Sequence, residues 1–585
     1  MYSHYFYNKF FILIFFSFLF FGCHTHQSVL QVKDDGANEK LPLSYGEQRK
    51  LDIAFTDGLI QKMQGNYPQA MDKFNKCLDI YPYHAASMYE IAYISNEVGK
   101  SNDAIPFIQK AVSIDDNNTW YKLLLAHCLM ETSRFSDASD VFQKIIKYDP
   151  DKIEHYFNLA SALLHAGRMK DALEVYDKIE EKMGVTEELC IQKQRIFLTQ
   201  NQFGKAVGEV QKLIQAFPGN TKYYRMLAAL YLQNNMQEKA HDIFNKIFKI
   251  DPNDPYTHLM LANYYESMHQ DSMAFFHLKI AFKNPDLDID EKMKIIIKYF
   301  DVPEKFKQKR NESDTLIALM LRIHPNDPKS YSIHGDFLNR DGKSTEARES
   351  FRKAINLDKS RFPLWQQLMV LDEILNDFVS MESDSRQAIE LFPAEASSYL
   401  FNASALYQKK NYKDAIETLN IGKDYVAGEK KLLAQFYSLL GDCYNGTKEN
   451  NLSDENYEKA LNLDTENANI MNNWSYYLSL RGEHLDKAEK MSRKANQIVK
   501  ENASYEDTYA WVLYKMKQYD EALRWLTKAI EHGGEKNGIM LEHIGDVYFH
   551  LNQQNNAIEY WQKAKVAGKY SDLLDKKLTD KKMYE

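Results

Sequence analysis

Large apolar, small and turn-forming residues recur along this chain in fixed columns. Ala70, Ala104, Ala138, Ala172, Ala206, Ala240 and Ala274 stand 34 residues apart without a break. In the same phase come Phe74, Ile108, Phe142, Tyr176, Val210, Phe244 and Leu278. Upstream of each alanine lies a small residue (Gly58, Ala92, Ala126, Ala160, Ala228 and Ala262), a column broken by Gln194. Gly65, Gly99, Ser133, Gly167, Asn201, Asn235 and His269 form a column of residues that tolerate left-handed or turn backbone. The period closes on Pro82, Asp116, Pro150, Gly184, Pro218, Pro252 and Asp286. A fixed repeat of this size predicts stacked helix–turn–helix units. Small residues on one helix facing alanines on the next let two backbones approach closely, with large apolar side chains filling the gaps.

These columns resemble the tetratricopeptide repeat. Tyr224, Leu227, Ala228, Tyr231, Ala240, Phe244 and Pro252 reproduce nearly the whole of that pattern in one unit. The resemblance implies an all-α fold, a right-handed superhelical α-solenoid of stacked helix hairpins. It also implies that the first helix of each hairpin lines a concave groove for peptide segments or partner domains. The phase breaks over residues 286–327, where the alanine column lapses and a charged run from Glu304 to Arg310 intervenes. Repeats resume with Tyr331, Gly335, Leu338, Ala347, Phe351 and Ala354, and continue to units anchored by Ala488, Ala522 and Ala557. Roughly fourteen units are recognisable. The expected organisation is an N-terminal array over 49–288, a degenerate repeat or joint over 289–327, a C-terminal array over 328–571 and a charged tail over 572–585.

The last repeats carry a more particular sequence. Asn473-Trp474-Ser475-Tyr476-Tyr477, Tyr509-Ala510-Trp511-Val512-Leu513-Tyr514 and Leu541-Glu542-His543-Ile544-Gly545-Asp546 are similar to the C-terminal repeat block of lipoproteins of the Gram-negative envelope. Those proteins are non-catalytic as a rule. His543 and Asp546 share a helix with Glu542 and invite a catalytic reading, but helix packing accounts for them more simply.

At the other end, Lys9 precedes an apolar run from Phe10 to Phe21, interrupted by Ser17 and closed by Gly22-Cys23. So short a core fits a signal peptide over 1–22 better than a membrane span. Gly22-Cys23 resembles the lipobox of lipoprotein precursors, with Phe20 and Phe21 in place of the usual leucine and small residue. The resemblance implies that Cys23 becomes the first mature residue and carries diacylglycerol and an N-acyl chain. Several acyl chains, at about 0.8 kcal/mol per buried methylene, anchor a protein durably. Residues 23–48 include Lys33-Asp34-Asp35-Gly36 and Pro42, lack helical periodicity, and read as a flexible tether. The expected location is the outer membrane, on its periplasmic or cell-surface face.

Composition narrows the chemistry. A net charge of −9 argues against nucleic acid, which calls for a basic stripe. Besides Cys23, the cysteines Cys77, Cys128, Cys190 and Cys443 fall in different repeats and read as small buried residues rather than disulfide partners. No CxxC, HExxH, GxSxG, P-loop or dinucleotide glycine motif occurs. His24 and His26 lie on the tether, and His269 stands in the turn column near His277, so no metal site is assigned. Lys576-Lys577 and Lys581-Lys582 read as a solvated tail. No cofactor and no catalytic residue are expected.

Groove positions on first helices include Asn158, Asn263, Asn402 and Asn472, with Tyr223 and Arg225 nearby. None is assigned individually as a binding residue. The chain thus reads as a lipid-anchored scaffold for protein complexes, attached to the membrane through Cys23. The alternative is a glycan-binding outer-membrane lipoprotein similar to the starch-binding family. Those proteins interrupt their repeats with long insertions, whereas seven repeats here run without one.

Overall fold

A computed structural model describes residues 43–303 and 306–584 of the protein. Among these residues the chain is built of α-helices joined by short turns, with two 3-10 turns and no strand. The signal peptide over 1–22, Cys23, His24, His26 and the tether as far as residue 42 lie outside the described residues. No described helix is long and apolar enough to cross a membrane.

The hairpin formed by helices Ile153–His165 and Met169–Met183 shows how the columns work. At the turn Gly167 takes φ +76°. Its amide donates to Leu164 O at 3.0 Å, and the next amide, Arg168 N, donates to Leu163 O at 2.8 Å. This two-bond closure satisfies carbonyls that the end of a helix would leave free. All seven members of the turn column have positive φ, from +56° at Asn201, Asn235 and His269 to +76° at Gly65 and Gly167. Several second hairpin arms end in an extended residue, as at Tyr81, Asp251 and Asp358. The next first helix is often opened by an Asn or Asp side chain, as at Asn118, Asn220, Asn467 and Asn537, which accepts amides of the first turn.

The alanine column is buried throughout, from Ala70 to Ala274. The small column explains why it must be small. Where glycine occupies it, an aromatic ring from the second helix lies against the bare backbone: Gly58 meets Phe74, Gly441 meets Tyr457 and Gly545 meets Trp561. A Cβ on Gly58 would come within 2.6 Å of the Phe74 ring, and one on Gly441 within 2.7 Å of Tyr457. Ring and backbone are therefore in direct contact, and added volume must displace one of them.

The chain divides into two compact units, Met1–Asn234 and Asn235–Glu585. In the first, one apolar cluster runs continuously from Met88 to Ile196. In the second, the degenerate stretch is folded: helices Ile289–Ile297 and Lys307–Ile323 place Ile296, Leu316 and Met320 in a core with Phe282 and Phe337. The array expected over 49–288 thus crosses the division between Asn234 and Asn235. The four cysteines are free and buried, as expected.

Two expected boundaries need correction. Helix Tyr45–Met63 begins inside the segment read as tether, because Ser44 and Glu47 form a reciprocal cap: Glu47 N donates to Ser44 Oγ, and Ser44 N donates to Glu47 Oε2 at 2.9 Å. The tail read as solvated folds into helix Leu574–Asp580, with Leu574 fully buried and Lys577 only 3 % exposed. Lys577 is buried because two carboxylates wait for it.

Candidate functional site

Five successive first helices of the second unit line a common surface: Ala396–Gln408, Lys430–Gly446, Ala468–Arg481, Ala503–Lys515 and Gly538–His550. Two cavities of about 420 and 580 Å³ open on it. Their lining residues all stand on first helices or at their N-caps, Glu373 of helix Phe362–Ile374 included. Ser404, Leu439, Asp442 and Asn473 line both cavities, which therefore form one groove. The helix Ala468–Arg481 shows how the sequence divides its faces. Met471, Trp474 and Leu478 are buried in the core, while Asn472, Asn473, Tyr476 and Tyr477 fall on the stripe that faces the groove.

Asp442 stands where the cavities meet. Tyr457 donates to its Oδ1 at 2.5 Å and Tyr477 donates to the same oxygen at 2.9 Å. The Tyr407 and Tyr477 hydroxyls lie 3.4 Å apart and extend the network to the Ala396–Gln408 helix. Burial raises the Asp442 pKa to about 6, outweighing the two phenol hydrogen bonds that favour its charge. Burial, then the Asp442 charge, pushes the Tyr457 and Tyr477 hydroxyls well above their ordinary range. Further along, Asp507 Oδ1 and His543 Nδ1 are 2.8 Å apart, and the His543 ring stacks on Trp511 at 3.9 Å between centroids. Burial opposes protonation of His543, but the charge and hydrogen bond of Asp507 prevail and raise its pKa. Asn472 is 8 % exposed; its amide nitrogen donates to Asn473 Oδ1 at 3.3 Å, and its Oδ1 has no partner.

Asp546, which with His543 invited a catalytic reading, and its neighbour Glu542 are consumed by packing. Lys577 Nζ lies 2.9 Å from Glu542 Oε1 and 2.8 and 2.7 Å from the two oxygens of Asp546. Ser571 donates its amide to Glu542 at 2.9 Å, and Trp561 Nε1 donates to Asp546 at 2.9 Å. Burial works to raise the Glu542 pKa, but the bonds from Ser571 and Lys577 outweigh it and hold the carboxyl below its ordinary value. These carboxylates hold the last helix against the preceding hairpin.

The other groove positions named from sequence divide. Asn402 is buried and spends its amide on Glu382 O at 3.2 Å and Ser385 Oγ at 3.0 Å, so it ties its helix to the preceding one. Asn263 is exposed and lines a separate cavity of about 660 Å³ beside the degenerate stretch. Asn158 is half-buried on a first helix of the first unit. Tyr223 is buried and donates to Glu187 Oε2 at 3.1 Å, while Arg225 donates to Thr221 Oγ1 at 2.9 Å. His277 is buried with its Nδ1 2.8 Å from that of His258, and burial lowers its pKa to about 4. Sequence reasoning missed Asp442, Asp507 and Tyr407. The signal that could have found them is position: each falls on the groove stripe of a first helix, outside the packing columns of this repeat.

A stack of helical hairpins with a polar groove on its first helices defines a helical-repeat binding module. Profiles described as "Tetratricopeptide repeat" match residues 85–118, 123–184, 197–264, 328–361 and 434–467, so the chain carries tetratricopeptide repeats in both units. Among curated proteins, the human protein O-mannosyl-transferase TMTC3 is 24 % identical over 153 residues, covering 26 % of this chain and 17 % of that protein. The chain thus spans less than a fifth of that relative's length. Among solved structures, it is similar to the APC/C hetero-tetramer Cut9–Hcn1, at 14 % identity and TM-score 0.38, covering 92 % of this chain and 96 % of that one. It is also similar to a tetratricopeptide repeat protein from Parabacteroides merdae, at 12 % identity and TM-score 0.36, covering 43 % of this chain and 98 % of that one.

Proposed function

We propose that this protein is a scaffold that holds a protein partner along the first-helix groove of its second unit and acts by binding rather than by catalysis. The observation that carries this is the division of the Ala468–Arg481 helix: its core face is apolar, while its groove face keeps Asn, Tyr and Asp442-linked groups at the surface on which the two cavities open. Many weak contacts along such a surface, concentrated at a few aromatic and polar anchors, give binding without a deep pocket. The presence of tetratricopeptide repeats supports the same reading. The test is recovery of partners by affinity purification from membranes. Combined Ser404→Ala, Gln435→Ala and Asn473→Ala substitutions are expected to reduce recovery while leaving the melting curve unchanged. Full recovery with this variant would exclude the groove.

The scaffold is anchored to the outer membrane by lipid on Cys23. Gly22-Cys23 after a short apolar run supports this, and several acyl chains suffice for stable attachment. Cys23→Ser is expected to leave an unprocessed precursor or to release the protein from the membrane fraction. A fatty-acid analogue that fails to label the wild type would sink the anchor.

A further inference from the structure

We propose that the occupant of this groove is an extended peptide segment carrying arginine or lysine, held by acceptors on the groove floor. The proposal rests on the scaffold reading and specifies the chemistry of its partner.

Three observations carry it. The charged residues lining the two cavities are Glu373, Asp442 and Asp507, with no lysine or arginine among them. Asn472, buried and facing the groove, offers an Oδ1 acceptor that no group in the protein satisfies. An orphaned buried acceptor costs free energy that a ligand donor recovers. Finally, both phenols on Asp442 converge on Oδ1, which leaves Oδ2 able to accept from a ligand. Acceptors without cations complement a donor-rich cation. A guanidinium, with five N–H donors and no acceptor, fits best, and backbone N–H groups of an extended segment would serve Asn472.

The dimensions agree. Five helices packed 8–10 Å apart span roughly 40 Å, the length of about twelve extended residues. An acidic segment would meet Glu373, Asp442 and Asp507, and like charges across an interface repel.

Fluorescence anisotropy on the full chain at physiological ionic strength tests this. One probe is a labelled twelve-residue Gly–Ser peptide with three arginines, and the other is the same peptide with three glutamates. The arginine peptide is expected to bind and the glutamate peptide not. Asp442→Asn is expected to weaken binding about fivefold or more, whereas Glu458→Gln, on the exposed face of a second helix, changes it less than about twofold. Should Asp442→Asn unfold, competition in the wild type decides: arginine amide displaces the peptide and glutamine amide does not. Equal binding of both peptides, or displacement by both amides, overturns the proposal. So does arginine-peptide binding that a folded Asp442→Asn leaves unchanged. The scaffold reading is judged separately, by partner recovery with the uncharged Ser404/Gln435/Asn473 variant.

Discussion

The first unit and the last hairpins of the second bury different things. Between Met88 and Ile196 the columns set a continuous apolar cluster, with one buried ion network beside it, where Lys193 meets Asp177, Glu180 and Glu209. From residue 538 to the C-terminus the interior also holds Glu542, Asp546 and Lys577, fully paired with one another and with Ser571 and Trp561. An internal repeat has a neighbour on each side and can be apolar on both. The hairpin over 538–567 is covered instead by the short helix Leu574–Asp580, through an ion-paired, directional contact. A periodic pattern therefore marks scaffold, and buried ion pairs off the pattern, at Lys193 as at Lys577, mark directional contacts between helices.

Substitutions can sharpen that contrast. Lys577→Met leaves two buried carboxylates without their cation, and breaking a buried pair costs about 3–5 kcal/mol. Thermal melting should show a loss of that size, with hydrogen exchange rising in 538–567. The neighbouring exposed Lys576→Met should change stability by less than about 0.5 kcal/mol. Equal effects at the two lysines would show that the network does not hold the end of the stack.

In the first unit the vulnerable feature is volume. Ala172 is fully buried on a second helix, and Ala172→Leu should cost about 1–3 kcal/mol by forcing backbone shifts. Exchange should rise in the hairpins on either side and not farther away, because repeats contact mainly their neighbours. A neutral Ala172→Leu would mean that the 34-residue register is misassigned.

Binding of the arginine peptide should depend on pH. The groups facing Asp442 are Tyr407, Tyr457 and Tyr477, with Cys443 beside it, and all four stay neutral below pH 8 because burial raises their pKa values. Asp442, with its pKa near 6, is therefore the group of this cluster that changes charge. Affinity should be weak at pH 5 and strengthen as pH rises through 6 and the carboxylate forms, with a shallower profile in Asp442→Asn, where Glu373 and His543 still titrate. A profile that weakens with rising pH would contradict the role of Asp442.

The smallest effect belongs to a turn. Lys410 holds φ +60°, a conformation that costs a side-chain-bearing residue roughly 1–2 kcal/mol. Lys410→Gly removes that strain but gives the unfolded chain more freedom, so a net gain below about 1 kcal/mol is expected in melting experiments.

Much of the fold was legible because packing leaves a periodic trace. The turn column from Gly65 to His269 marked residues that tolerate left-handed or turn backbone, and all seven have positive φ. The small and alanine columns predicted close helix contact, and Gly58 against Phe74 shows it. The rest was hidden for physical reasons. The 289–327 stretch packs through Ile296, Leu316 and Met320 without the alanine column, so a register search sees a gap. Lys577 looked solvated because its partners, Glu542 and Asp546, lie more than thirty residues away in sequence. The groove was legible as a face but not as a set of residues. Asn402 and Asn472 both stand on first helices, yet one satisfies a neighbouring helix and the other keeps an Oδ1 without a partner. Only the contacts across hairpins separate them.

Site-specific photo-crosslinking in cells tests the central claim most directly. A photoreactive residue at Asn473, which lines both cavities, should trap a protein partner, and one at exposed Glu458 on the adjacent second helix should not. Crosslinks at 458 with none at 473 would place the binding face on the second helices and contradict the account.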